Sequence, residues 1–320
     1  MKSLFCLCIA LLLVLPASAE TPTSLEESLS TFMEEHSLND ENFALSWFNS
    51  ATGESCSFNE HAFLPVGEVW YLPLHMYYYE QEARGAFEPE DETAEAFKIA
   101  GLTLEECRYQ NLVLGEARPA EQMRDALGNY RQFKLLLNDA YGHSPTDSLT
   151  DAYLTKNTFS AAMLMNCLIY LDARTELFRG LTSNLRLAQS SDGLAGYGRQ
   201  YSLVHLRGEE DGFLCDVAAV TAQQPYLLVC FVQEDAGGDE VLAEINAMFC
   251  DYVEKAKSQP AAVPDKPVQS PDTPTAPIVN TTTPNNGAFI WVLAAVGGML
   301  LLSATVFLLF RGLYRRKHRF

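Results

Sequence analysis

Residue types that could do chemistry are few in this chain, and they stand apart from one another. Glu68 precedes an apolar, aromatic-rich run, Tyr71 to Gln81, that reads as a helix. A carboxylate there sits at a helix N-terminus, where the dipole favours an anion. A relocated general base is one use for it, and a helix-capping charge is the simpler one. His75 falls inside the same helix, where packed histidines outnumber catalytic ones. His205, on a strand-like run, is the better candidate. Ser190-Ser191-Asp192-Gly193 has a nucleophile's residue types but the composition of a turn. The aromatic cluster Trp70, Tyr71, Tyr77, Tyr78 and Tyr79 suits core and helix surface, with a stacking platform for sugars as its rarer use. The chain contains no Ser-x-x-Lys, no Gly-x-Ser-x-Gly, no phosphate loop, no His-Glu-x-x-His and no dinucleotide fingerprint. It has neither a Cys-x-x-Cys nor a zinc-type His/Cys cluster, so no metal and no cofactor is expected.

The elements that would position these residues follow from periodicity and turn signals. Thr21 to His36 reads as an amphipathic helix with Ser24 as N-cap and Glu27 closing a capping box. Phe43 to Phe48 and Glu54 to Phe58 read as a hairpin about the turn Asn49 to Gly53. Helical patterns then run over Leu102 to Leu114, Glu121 to Leu127, Tyr130 to Tyr141 and Phe159 to Leu171. The last third changes to strand-like runs at Tyr201–Leu206, Leu214–Val220 and Tyr226–Val232, and Glu240 to Lys257 closes with a helix. This order predicts an α+β fold, with the early strands joining the late ones in one antiparallel sheet flanked by helices.

The two ends carry membrane signals. Residues 1–19 read as a cleaved signal peptide: Lys2, an apolar run from Leu4 to Leu15, and a small-residue exit at Ala17-Ser18-Ala19. Residues 20–257 form the extracellular domain. Residues 258–287, rich in Pro, Thr and Asn, form a semi-rigid stalk. Ala288 to Phe310 is uncharged and long enough to span a membrane. The basic tail 311–320 places the C-terminus in the cytoplasm. Setting aside Lys2 and the five basic tail residues leaves 16 Lys and Arg against 41 Asp and Glu, a balance of −25. Such a surface repels nucleic acid, so no nucleic-acid partner is expected. Six cysteines remain in the exported part, and their spacing names no pairing, so buried free thiols are as consistent with it as bridges.

In its order of elements the chain resembles the class A β-lactamase and penicillin-binding serine hydrolase family, over Phe43 to Tyr252. The likeness is carried by Thr52-Gly53-Glu54, Phe58-Asn59-Glu60, the helix Tyr71–Gln81, the region Leu112 to Gly128, Val204–Gly208, Asp216-Val217 and Pro225–Val229. In that family a lysine one helical turn from the active serine takes its proton. The resemblance puts Glu68 at the serine and Tyr71 at the lysine. It puts Gly115-Glu116-Ala117 at the Ser-Asp-Asn motif, for which Thr155-Lys156-Asn157 is a second match. Leu206-Arg207-Gly208 falls at Lys-Thr-Gly. The glycine survives there, and Arg207 is one step off, which on a strand turns it to the opposite face. No catalytic motif is intact. The ligand-lining residues the resemblance implies are Glu68, Tyr71, His205, Arg207 and Gly208.

The implied protein is a single-pass membrane protein of a bacterial cell envelope. Its β-lactamase-like domain is a pseudoenzyme with a ligand-binding or scaffold role; the alternatives are a living hydrolase with rearranged residues and a pure assembly module. A cell-wall or peptide ligand is the expected small partner. A membrane protein is the expected large one, because the tail is too short to signal by itself.

Overall fold

A computed structural model describes residues 24–87, 97–142, 149–188, 191–196 and 201–258. The segments read as signal peptide (1–19), membrane span (288–310) and basic tail (311–320), and residues 259–287 of the segment read as a stalk, lie outside the described residues, as does the acidic stretch 88–92. Among the described residues no helix is long and apolar enough to cross a membrane.

The opening helix α1 (Leu25–Glu35) begins at Ser24, whose hydroxyl accepts from the Glu27 N–H while Glu27 reaches back, as the capping box requires. Strands β1 (Phe43–Asn49) and β2 (Ser55–Phe58) form the expected hairpin. After a 3-10 turn at Gly67–Trp70 come α2 (Tyr71–Ala83), α3 (Leu104–Arg108), α4 (Ala117–Ala126), α5 (Tyr130–Tyr141), α6 (Asp151–Thr155), α7 (Ala161–Asp172) and α8 (Arg179–Leu187). The chain then returns through β3 (Ser202–Glu210), β4 (Phe213–Thr221) and β5 (Tyr226–Gln233), and the described residues close with α9 (Gly238–Ser258). These five strands form one antiparallel sheet in the order β2-β1-β5-β4-β3.

The middle of the chain departs from the periodicity. The helix expected over Leu102 to Leu114 is split: Leu102–Thr103 pairs with Lys98–Ile99, α3 starts at a Thr103/Glu106 capping box, and Tyr109–Val113 is a π-turn. Helix α4 starts at Ala117 rather than Glu121. Pro119 is tolerated because the first turn of a helix needs no N–H from it. Helices α6 and α8 have no counterpart in the expected pattern. Strand β3 runs four residues past Leu206, because Asp211 and Gly212 both adopt positive φ and close a tight hairpin into β4.

The sheet is covered on both faces, which is why its central strand β5 is a continuous apolar run with almost every residue buried. One face, through Leu45, Trp47, Leu228 and Cys230, packs on α1 and α9. The other, through Val217, Leu227, Val229 and Phe231, packs on the helical half of the domain. Polar ties fasten α9 to the sheet: the Tyr226 hydroxyl donates to Asn246 Oδ1 (2.7 Å), and Asn246 Nδ2 donates to the Leu194 carbonyl (2.7 Å). All six described cysteines are unpaired, and all but Cys56 are buried.

Candidate functional site

Two of the three segments set against the family's motifs, the start of α2 and Leu206–Gly208 of β3, meet backbone to backbone. Gly67 has φ +52°, and a Cβ built on it would come 2.2 Å from the Glu209 nitrogen. A Cβ on Gly208 would come 2.2 Å from the Val66 carbonyl oxygen and 2.4 Å from the Glu68 nitrogen. Only glycine fits at either place, so each lets the other segment approach. The contact delivers the Glu209 N–H to the first turn of the helix, where the exposed Glu68 accepts it through Oε2 at 3.1 Å.

A second set of ties fixes the same turn from the other side. Glu210 Oε2 accepts from the Gly67 N–H (3.3 Å) and from Asn157 Nδ2 (2.6 Å), and Asn157 Nδ2 also reaches the Gly67 carbonyl (2.9 Å). The Tyr130 hydroxyl donates to Asn157 Oδ1 at 3.0 Å. Asn157, from the second match to the Ser-Asp-Asn motif, therefore stands in this hydrogen-bond network. Beneath it lies Lys134, fully buried, with Nζ donating to the Thr158 carbonyl (2.5 Å) and lying 3.6 Å from the Phe159 ring centroid. Burial holds its amine well below the ordinary lysine range, against the opposing pull of Glu210.

Tyr71 is buried, and its phenol is pushed up to about 12, first by burial and then by the Glu68 carboxylate. It cannot serve as a base near neutrality. His75 is wholly buried: its Nε2 lies 2.7 Å from Asn111 Oδ1, and burial lowers its pKa to about 4. Asn111 also donates to the Glu116 carbonyl (2.9 Å), so it ties the Gly115-Glu116-Ala117 loop, which is exposed, to α2. Leu206, at the lysine position of the third motif, packs half-buried against the helical core.

Two residues expected to line the cleft do not. Strand alternation sends His205 and Arg207 to the α9 face, opposite Gly208. His205 Nδ1 lies 3.1 Å from both oxygens of the fully buried Asp216, which also accepts the Leu194 N–H at 2.9 Å. Arg207 makes a bidentate pair with Asp239 of α9 at 2.7 and 3.0 Å. Both are structural ties, which corrects the ligand-lining assignment of this pair. Ser191 and Asp192 form a bend, in keeping with the turn composition; Ser190 is outside the described residues. Of the aromatic cluster, Trp70, Tyr71 and Tyr78 are buried, whereas Tyr77 and Tyr79 are half-buried.

Sequence reasoning missed Asn111, Tyr130, Lys134 and Glu210. Glu210 had a signal in the Asp211-Gly212 hairpin turn that follows it, which extends β3 and carries the carboxylate back to Gly67. Asn111 had none, because a lone amide in a helical pattern has no spacing to read.

The motif segments thus supply a carboxylate, a phenol and backbone groups. No protein-family profile and no curated protein sequence matches the chain. Solved structures do. PBP-A aligns at a TM-score of 0.58 and 17% identity over 72% of this chain and 97% of its own. A β-lactamase from Xanthomonas campestris pv. campestris aligns at 0.58 and 15% over 72% and 99%. The ancestral class A β-lactamase of Gram-negative bacteria aligns at 0.55 and 15% over 71% and 99%. The chain has the β-lactamase/penicillin-binding serine hydrolase fold. At these identities the likeness is one of fold. The single antiparallel sheet of this β-lactamase-like domain, with early and late strands paired and helices on its flanks, agrees with the expected layout.

Proposed function

We propose that this protein is a membrane-anchored, extracellular β-lactamase-like domain that has lost serine-hydrolase chemistry and serves as a scaffold or ligand-binding module at a bacterial envelope. The observation that carries this reading is the Glu68–Glu209 hydrogen bond. Acyl transfer needs backbone N–H groups free to receive a developing oxyanion beside the nucleophile. Here the N–H that β3 brings to the helix start is taken by a carboxylate standing at the serine position. That carboxylate would also repel the anionic end of a penicillin. Tyr71 and Leu206 replace the two amines. Contact between the Gly67 and Gly208 segments favours the scaffold form of the reading, with a membrane protein as the partner, over a ligand bound between them.

The test is covalent labelling of the full-length chain in membranes with a fluorescent penicillin and a fluorophosphonate. No adduct is expected, and an adduct at any serine overturns the reading. Glu68→Ser should leave labelling at background, since it restores neither amine. Protease treatment of intact cells should remove an epitope placed ahead of Ala288 and spare the tail; the reverse pattern overturns the topology.

A further inference from the structure

A groove of about 610 Å³ opens between the C-terminal half of α2, the segment Glu105–Gln110 and the start of α8. Its volume lies within the ~300–1,000 Å³ range of small-molecule sites. Tyr79, on its floor, stands roughly two helical turns, or about 12 Å, beyond Tyr71 on α2, so the groove is distinct from the Glu68–Gly208 contact.

The floor is a stack. The Arg108 guanidinium lies 3.8 Å from the Tyr79 ring centroid and is held in place by Glu82. At Gly180 of α8 a Cβ would come within 2.4 Å of the Tyr79 hydroxyl, so that glycine lets the phenol reach the wall. The π-turn, a distortion often found at functional sites, presents Tyr109 with 47% of its surface exposed. Gln110 on the same turn and Asn184 on α8 line the groove with side-chain amides that make no hydrogen bond among the described residues.

The charged lining is three carboxylates, Glu82, Glu105 and Glu106, against one guanidinium, Arg108, which is buried and already paired with Glu82. An anion would meet Glu82, Glu105 and Glu106. A neutral ligand with adjacent hydroxyls avoids that repulsion and suits the unpaired amides and the exposed ring beside them. Its hydroxyls can donate to Glu105 and both donate to and accept from the Gln110 and Asn184 amides. The C–H face of a pyranose ring can lie on the exposed Tyr109 ring, giving an apolar contact of the kind aromatic side chains supply.

We infer that this groove binds a neutral saccharide, stacked on Tyr109 and hydrogen-bonded by Gln110, Asn184 and Glu105. The inference goes beyond the scaffold reading and does not rest on it. The test is saturation-transfer NMR and titration calorimetry on the full-length chain in detergent. Cellotriose and chitotriose serve as neutral probes, with spermidine and citrate as charged ones. At least one trisaccharide should bind, with transfer to its ring C–H protons. Tyr109→Ala should weaken it by about tenfold or more, a loss of about 1.4 kcal/mol. Gln110→Ala should weaken the same probe. Both side chains lie outside the buried core, and an unchanged far-UV circular dichroism spectrum checks that each variant folds. Failure of both trisaccharides to bind, tighter binding of spermidine or citrate, or wild-type affinity in Tyr109→Ala would each overturn the inference.

Discussion

Adding one methyl group at Gly208 tests the contact on which the site is built. Its Cβ would lie 2.2 Å from the Val66 oxygen, 2.4 Å from the Glu68 nitrogen and 2.9 Å from the Val69 nitrogen, all of them backbone atoms. No flexible side chain can move aside, so the 3-10 turn must separate from β3. Overpacking in a dense region costs ~1–3 kcal/mol. With backbone on both sides, Gly208→Ala should fall near the top of that range, about 3 kcal/mol. A useful contrast is Gly53→Ala, at φ +77° with nothing within 4 Å of the new Cβ, where only the left-handed backbone opposes alanine. That variant should lose ~1–2 kcal/mol. Gly67→Ala combines a left-handed backbone with a 2.2 Å clash and should be the worst of the three. The assay is urea unfolding followed by tryptophan fluorescence, to which the buried Trp47 and Trp70 contribute. At a slope of roughly 1–3 kcal/mol per molar, Gly208→Ala should lower the midpoint by at least about 1 M. A Gly208→Ala midpoint within about 0.2 M of wild type would refute the close approach of β3 and α2.

Three further perturbations address buried polar groups. His75 has a folded pKa of about 4 against an unfolded 6.5, so below pH 6.5 the unfolded chain binds a proton that the folded one does not. Stability should therefore fall between pH 6.5 and pH 4, by roughly 3 kcal/mol in all. His75→Gln should flatten that slope in urea midpoints measured across the range. Asp216→Ala strips the buried Leu194 N–H of its acceptor and His205 of its neighbouring carboxylate, and should cost ~3–5 kcal/mol by thermal or urea unfolding. Lys134→Met removes an amine whose charged form burial disfavours. The variant should be more stable than wild type at pH 7, and its advantage should shrink toward pH 10, where the unfolded lysine also gives up its proton.

The strands were legible because alternation, turn residues and apolar runs state their own boundaries. Residues Phe43 to Phe58 and the three late strands all formed, and the Ser24/Glu27 capping box closed as expected. The helical middle was legible in outline only. Its helices α3 and α6 are five residues each, too short for a 3.6-residue period to show. Position within the site divided in the same way. Glu68 and Gly208 lie side by side because glycine and helix-start signals survive in the chain. His205 was read without its face: along a strand, a neighbour of a site residue points away from the site. The hydrogen bonds of Asn157 and Glu210 join residues far apart in sequence, and no local pattern encodes such a meeting.

Helix α9 has a mechanical consequence. It is 21 residues long, ends at Ser258, and grips the sheet through Val241, Ile245, Phe249 and Val253, with Asp239 locked to Arg207 near its start and Asn246 to Tyr226 midway. Tension drawn along its axis from Ser258 loads all of these grips at once, in shear. Tension drawn sideways peels them in order, beginning at Val253, so the direction of pull decides how much force the domain can bear.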